Sequence, residues 1–311
     1  MDGIKTRNRC MKIRPKFVIY KIIIKCFRIT GLLPLLPDKV FLKMYYPVIM
    51  NEELDLKNPR TFNQKLQWLK LYNRKPEYTT MVDKYAVKGY VSEKIGAEYV
   101  IPTLGVWDSF DDIDFDSLPN QFVLKCTHDS GGLVICRDKS KLDIAAAKKK
   151  INMSLKRDYF YNGREWPYKN VPKRIIAEQY LSNDEESNEL SDYKVLCFNG
   201  EPKLIEIHKG RFSGHHTQDF YDTEWNKTAF EQPEDPLSDE IMQKPVFADK
   251  MFELSRILAE NIPHVRIDWY YTGGKLLFGE ITFFDGSGFC PFIENQDEIL
   301  GNWITLPQKT V

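Results

Sequence analysis

Residues 265–285, VRIDWYYTGGKLLFGEITFFD, decide the fold. Two runs of β-branched and aromatic residues flank Gly273-Gly274, a pair suited to a two-residue hairpin turn because both central positions take positive φ. Side chains alternate across a strand, so Arg266 and Asp268 share one face of the first run. Glu280 and Thr282 share one face of the second. Asp268 and Glu280 stand at similar distances from the turn, and antiparallel pairing can bring their carboxylates side by side. Such a pair in an apolar setting repels by on the order of several kcal/mol at low effective dielectric. A divalent cation relieves that repulsion, and Mg²⁺ already held by phosphates suits a site with few protein oxygens. The other reading is two carboxylates facing water at a sheet edge.

Working outward, residues 251–262 (MFELSRILAENI) have a helical pattern that Pro263 stops. Residues 193–210 form a second hairpin turning at Asn199-Gly200, and the polar, acidic SNDEESNELS (182–191) precedes it. RIIAEQYL (174–181) is a strand, and residues 139–156 are a helix whose lysine run is solvated. The β-rich runs YVIPTLGVW (99–107) and QFVLKCTH (121–128) are separated by the acidic loop DDIDFDSLP. Upstream lie two helices: one in which Phe62, Leu66, Leu69 and Tyr72 keep a helical period, and one over residues 82–96 closed by Gly96. No regular βαβ rhythm emerges, so the class is α+β with mostly antiparallel pairing. In FVLKCTHDSGG (122–132) a lysine ends an apolar strand just before a Gly-rich turn. Exposed backbone N–H groups there, together with Lys125, can hold phosphate oxygens, although the order differs from a Walker A loop.

Lys+Arg and Asp+Glu both number 44, so the chain lacks the basic surplus of a nucleic-acid binder. The six cysteines are scattered without metal-ligand spacing, as expected of a reduced, cytoplasmic chain. Residues 1–43 depart from neutrality, with eleven Lys or Arg against two Asp around an apolar middle, FVIYKIIIKCFRITGLLPLLP. Lys21, Lys25 and Arg28 interrupt that middle, which excludes a signal peptide or spanning helix, and they form one helical stripe. Two readings fit: an interfacial helix, with residues 12–36 contacting the inner face of the plasma membrane, or a helix packed on its own protein.

Taken in order, these motifs resemble the ATP-grasp superfamily, and in particular the branch named after the teichuronopeptide-biosynthesis protein TupA. The last hairpin, R-I-D-W…G-K-L-L…E-I-T-F-F-D-G, is similar to the D-alanine–D-alanine ligase pattern R-V-D-F…G-K-L-Y…E-x-N-x-x-P-G. FVLKCTHDSGG resembles the phosphate-covering strand and loop, which implies phosphate contacts from Lys125, His128, Ser130, Gly131 and Gly132. IIAEQYL resembles the adenine-receiving hinge, implying Glu178 and the backbone of Gln179, Tyr180 and Leu181. Asp192 falls at the ribose position, and VDKYAVKGYV resembles the D-K-x-x-x-K helix start that makes Lys84 the other phosphate lysine. The branch resemblance extends back through NPRTFNQKLQWLKLYNRKPEY (58–78).

The resemblance implies two α+β lobes sandwiching ATP, preceded by a helical region in place of a Rossmann-like domain. The implied divisions are a basic segment 1–45, a helical region 46–117, a small lobe 118–182 and a large lobe 183–311. Asp268, Glu280 and Thr282 would hold Mg²⁺, with Thr282 standing where the superfamily places Asn and Asp285 nearby. Arg266, Lys125 and Arg211 would act on the reacting phosphate, His215 and His216 reading as polar surface. The implied activity is an ATP-dependent carboxylate–amine ligase acting on a carboxylated surface polysaccharide or its lipid-linked precursor, with a small amine or amino acid as second substrate. Competing readings are a surface-polysaccharide glycosyltransferase, for which DDIDFD supplies D-x-D strings, a non-catalytic ATP-binding module, and a phosphotransferase.

Overall fold

The structure is a computed structural model and describes residues 13–182, 192–209 and 216–309. Helix α1 (Pro15–Ile29) starts on a proline, whose missing N–H would be unpaired in a first turn anyway. It packs on α2 (Asp38–Met50) by burying Phe17 and Ile24. Its opposite face leaves Val18, Ile19, Ile22 and Ile29 exposed. No helix among the described residues is long and apolar enough to cross a membrane.

Helix α3 (Phe62–Tyr72) is capped by Thr61, whose hydroxyl accepts from the Gln64 N–H at 3.3 Å. Phe62, Leu66 and Leu69 enter the core as the helical period requires. Trp68 is buried with them, and half-buried Tyr72 packs on the same core while bordering, with Lys65, a surface cleft. Two short helices follow, α4 (Glu77–Val82) and α5 (Ala86–Ile95), the latter ending at Gly96 with φ +116°.

Two antiparallel sheets complete the frame. The smaller contains β1 (Thr103–Trp107), β2 (Phe122–Cys126), β3 (Leu133–Cys136) and β4 (Ile175–Gln179) in the order β1-β4-β2-β3. Strand β1 lies before residue 118, yet it is an edge strand of this sheet. Phe122, Leu124, Cys126, Ile175 and Ala177 face Ala147 and Ile151 of α6 (Ile144–Leu155) in a separate small core. A one-turn helix, α7 (Phe160–Gly163), follows α6. The larger sheet orders β7 (Thr217–Tyr221), β6 (Glu201–Lys209), β5 (Asp192–Phe198), β8 (His264–Thr272) and β9 (Lys275–Thr282).

Alternation gives each large-sheet strand a core face and a cleft face. Val195, Ile205, Ile267 and Trp269 are fully buried, along with Met251 and Leu258 of α8 (Ala248–Leu258). The Trp269 indole N–H donates to Ser255 Oγ at 2.8 Å, so its polar atom is satisfied inside the core. Truncating such a residue costs about 3–5 kcal/mol. Buried residues from Ile24 to Val91 share this large core with residues 193–304, so the N-terminal helices and the C-terminal sheet are one hydrophobic unit. Helix α9 (Gln296–Asn302) closes it against α3.

Candidate active site

The hairpin turn forms as its glycines require, with φ of 57° at Gly273 and 71° at Gly274. Thr272 pairs with Lys275, and an unbroken ladder from there would set Asp268 opposite Gly279 and put Glu280 on the other face. The observed ladder slips by one residue: Trp269 pairs with Phe278, but Asp268 pairs with Glu280. Gly279 is therefore the extra residue of a β-bulge, and the bulge carries Glu280 onto the cleft face. A Cβ at Gly279 would stand 3.0 Å from both the Asp268 carbonyl oxygen and the Tyr270 ring. Glycine is the residue this close approach admits.

The slip completes a row across four strands, Glu206–Lys194–Asp268–Glu280, each residue paired with the next. Lys194 Nζ lies 3.1 Å from Glu206 Oε1, and that carboxylate also meets His208 Nε2. Burial works against the Glu206 charge, yet Lys194 and His208 hold its pKa well below the usual carboxylate range. Arg266 sits one alternation away from the row and grips Asp268 in a bidentate pair, at 2.7 and 2.8 Å. The same guanidinium reaches Glu280 Oε1 at 3.2 Å and also contacts Asp285. Burial pushes Asp268 up to about 7; Arg266 pulls it down, and Glu280 and Asp192 add to the rise. Glu280 moves the other way: burial raises it, but Lys84, Arg266, Lys194 and Lys125 together bring it below the ordinary value. Its side chain is 40% open to the cleft.

Across the cleft, Glu178 on β4 receives Lys88 Nζ at 2.5 Å and Lys125 Nζ at 2.6 Å. Burial opposes its charge, but Lys125 and Lys88 leave its pKa below normal. Lys84 Nζ donates to the Asp129 carbonyl at 2.5 Å, tying the start of α5 to the turn after β2. Lys84, Lys88, Lys125, Glu178, Tyr270 and Glu280 line one cleft between the two sheets. Three lysines, Lys84, Lys88 and Lys125, thus face a row of carboxylates, with Lys194 among them, across a narrow gap. Such a gap suits a polyanion accompanied by a divalent cation.

A family model described as TupA-like ATPgrasp matches residues 64–305. The chain belongs to the TupA-like ATP-grasp family. Membership agrees with the two antiparallel sheets behind a helical N-terminus. No curated protein matches the chain. Among solved structures it is similar to D-alanine–D-alanine ligase from Bacillus anthracis complexed with ATP, at 14% identity and TM-score 0.41, over 66% of this chain and 55% of that one. The Helicobacter pylori ligase gives 12% identity and TM-score 0.43 over 81% and 69% of the two chains. A RimK-domain ATP-grasp protein from Sphaerobacter thermophilus gives 12% and 0.42 over 74% and 68%. The match thus spans about half the length of the Bacillus anthracis enzyme.

Not every residue that the ATP-grasp resemblance implies reaches the cleft. Lys84, Lys125, Glu178 and Glu280 line it, and Asp268 pairs with Glu280 behind Arg266. Asp192 sits on the same sheet face, opposite Tyr270 and 3.9 Å from Lys194 Nζ. The hinge residues Gln179, Tyr180 and Leu181 leave the end of β4, and the Gln179 N–H donates to the Pro102 carbonyl. Ser130 and Gly131 are exposed at the tip of the β2–β3 turn, while Gly132 is buried against Ser154 and Asp129. His128 does not face the cleft; it is buried toward the end of α6, its Nε2 3.2 Å from the Arg157 carbonyl oxygen. Alternation explains this, because the turn begins at Thr127 and rotates the next side chain into the small lobe. Thr282 Oγ1 lies 3.3 Å from Glu280 Oε1 and so adds a third oxygen beside the carboxylates. Arg211 and His215 fall outside the described residues. His216 is described: its Nε2 lies 2.8 Å from His208 Nδ1, and its Nδ1 lies 2.8 Å from Asp235.

Sequence reasoning missed Lys88, Lys194 and Glu206. Lys88 is the closing lysine of the D-K-x-x-x-K helix start, four residues after Lys84 and therefore on the same helical face. Lys194 alternates with Asp192 on β5, a signal that was readable. Glu206 carried none, because its pairing depends on strand register.

Proposed function

We propose that this ATP-grasp protein binds Mg-ATP between its two sheets and uses it to join a carboxylate to an amine. The supporting observation is the arrival of Lys84, Lys125, Glu178 and Glu280 at a single cleft from four separate stretches of chain. Lys84 and Lys125 neutralise phosphate oxygens, Glu178 and the Gln179–Leu181 backbone face the base, and Asp192 meets the ribose. Asp268, Glu280 and Thr282 present hard oxygens on neighbouring strands, a donor set that fits Mg²⁺. When bound, that ion supplies charge neutralisation between the phosphates and the paired carboxylates.

In the reaction, a substrate carboxylate oxygen bonds to the γ-phosphorus as the bond to the β,γ-bridging oxygen breaks, and ADP leaves. The amine nitrogen then attacks the acyl carbon, phosphate departs, and the nitrogen loses a proton. Arg266 stabilises the charge on the transferring group, and the lysines hold it in line, so no nucleophilic side chain is needed. The acid in this proposal belongs to a surface polysaccharide or its lipid-linked precursor. ADP release that requires both a uronate-type acid and an amine supports the reading, and ADP release with neither present overturns it. The outward Val18, Ile19, Ile22 and Ile29 of α1, beside Lys21, Lys25 and Arg28, support a peripheral contact with an anionic membrane. Vesicle sedimentation of an Ile22→Glu/Ile29→Glu variant tests that contact, and unchanged sedimentation removes it.

A further inference from the structure

A second, larger cleft of about 880 Å³ lies away from the ATP-grasp chemistry, beside α3. Five lysines line it against one acid: Lys39, Lys43, Lys57, Lys65 and Lys309, with Asp55. Asp55 is held in its own turn, its Oδ1 accepting the Lys57 and Asn58 backbone N–H groups at 2.8 and 3.0 Å, and its single charge offsets only part of the five. Among the described residues, none of the five ammonium groups is ion-paired. Lys65 is half-buried with Nζ donating to the Ile304 carbonyl at 2.8 Å, and Lys309 lies 4.2 Å from the centre of the Tyr72 ring. In a chain of zero net charge, an uncompensated cluster of this kind attracts an outside anion.

We propose that this cleft binds an acidic oligosaccharide, with carboxylated or phosphorylated sugar rings lying along α3. The cations come from four chain segments: α2, the loop after it, α3 and the C-terminal stretch. A ligand that meets all of them carries its charges spaced along its length, as an acidic polymer does and a nucleotide with one phosphate tail does not. Half-buried Tyr72, backed by the buried Trp68 ring one turn earlier at 5.1 Å, supplies aromatic surface to the same cleft. Sugar rings offer apolar C–H faces that pack on such rings. The assignment goes beyond the ATP cleft and does not depend on the ligase reading.

The test is calorimetric titration with tetragalacturonate, maltotetraose and tetraglutamate, on the wild type and on a Lys43→Glu/Lys57→Glu variant. A Tyr72→Ala variant tests the ring, and ATP affinity serves as the fold control. Tetragalacturonate should bind, weaken with salt, and lose roughly tenfold or more in the charge-swap variant, while ATP affinity stays unchanged. Maltotetraose should not bind, and Tyr72→Ala should weaken tetragalacturonate. Binding that the charge swap leaves unchanged overturns the site. Tetraglutamate binding as tightly as tetragalacturonate overturns the sugar assignment. Phosphatidylglycerol vesicles captured by the wild type and released by the charge swap, with no tetragalacturonate binding, would replace the glycan with a lipid surface. Loss of ATP binding in the wild type would count against the ATP reading alone.

Discussion

In the cleft between the sheets, Lys88 and Lys125 share Glu178, Lys194 holds Glu206, and Arg266 is wrapped by Asp268, Glu280 and Asp285. In the cleft beside α3, five lysines have no carboxylate partner among the described residues. The first arrangement stores opposite charges at fixed positions, so an arriving polyanion and cation exchange partners in a framework that already exists. The second leaves an excess of like charge, five lysines against Asp55, most of it facing water, where an outside anion relieves it. Burial explains the difference. Arg266 and Asp268 are nearly buried, and an unpaired charge there would be costly, whereas Lys39, Lys43, Lys57 and Lys309 are exposed and tolerate isolation.

The severest way to break the paired cleft is Arg266→Met. It leaves Asp268 and Asp285 buried without a countercharge, and the expected loss is about 3–5 kcal/mol of stability. Denaturant titration with and without Mg²⁺ checks it, and Mg²⁺ should restore part of the loss by taking up the guanidinium's role. Next in size is Gly279→Val. A branched side chain at the bulge strains the ladder where Asp268 meets Glu280, and misplacing a catalytic group by about 1 Å costs on the order of 10²-fold in rate. ADP release should fall that far while binding at the lysine cleft stays the same.

The pH response separates core from cleft. His264 is buried beside Phe62 and Phe198 at ring distances of 4.8 and 4.9 Å, and burial lowers its pKa to about 3. Unfolding raises that pKa to the ordinary value of about 6.5, so the unfolded chain binds the extra proton between the two. The stability due to neutral His264 is therefore intact above about pH 6.5 and is lost as pH falls toward about 3, roughly 2 kcal/mol of it by about pH 5. His264→Phe should flatten this acid limb in urea titrations at several pH values. Asp268, pushed up to about 7, gives the smaller effect. In the proposed role of Asp268 as a Mg²⁺ ligand the ionised carboxylate is required, so Mg²⁺ affinity should fall roughly tenfold per pH unit below about 7 and level off above it. Mg²⁺-dependent shifts in melting temperature across that range provide the check, and Asp268→Asn should abolish them.

Much of the frame was legible because it is local. Asn199-Gly200 and Gly273-Gly274 specify their own turns, and Gly96 ends α5 where a left-handed residue is needed. His128 was not legible as a buried residue, because the rotation of a chain leaving a strand depends on what it packs against. Tyr72 reads as core by helical period and does pack on the core, but it also borders the cleft, which the period alone does not show. Lys88 and Lys194 stood at readable spacings and were missed.

By itself the sequence determined which residues could carry charge to the last hairpin: alternation groups Arg266 with Asp268 and Glu280 with Thr282, whatever surrounds them. Whether those two groups face the same way was decided by the tertiary structure. Strand register is a property of two chains of hydrogen bonds pairing at once, and here a single bulged glycine, Gly279, shifts it by one residue. The lysine cleft follows the same division. Its five cations are evident in the sequence, but only packing among α2, α3 and the C-terminal stretch sets them around one space with no ion-pair partner among the described residues.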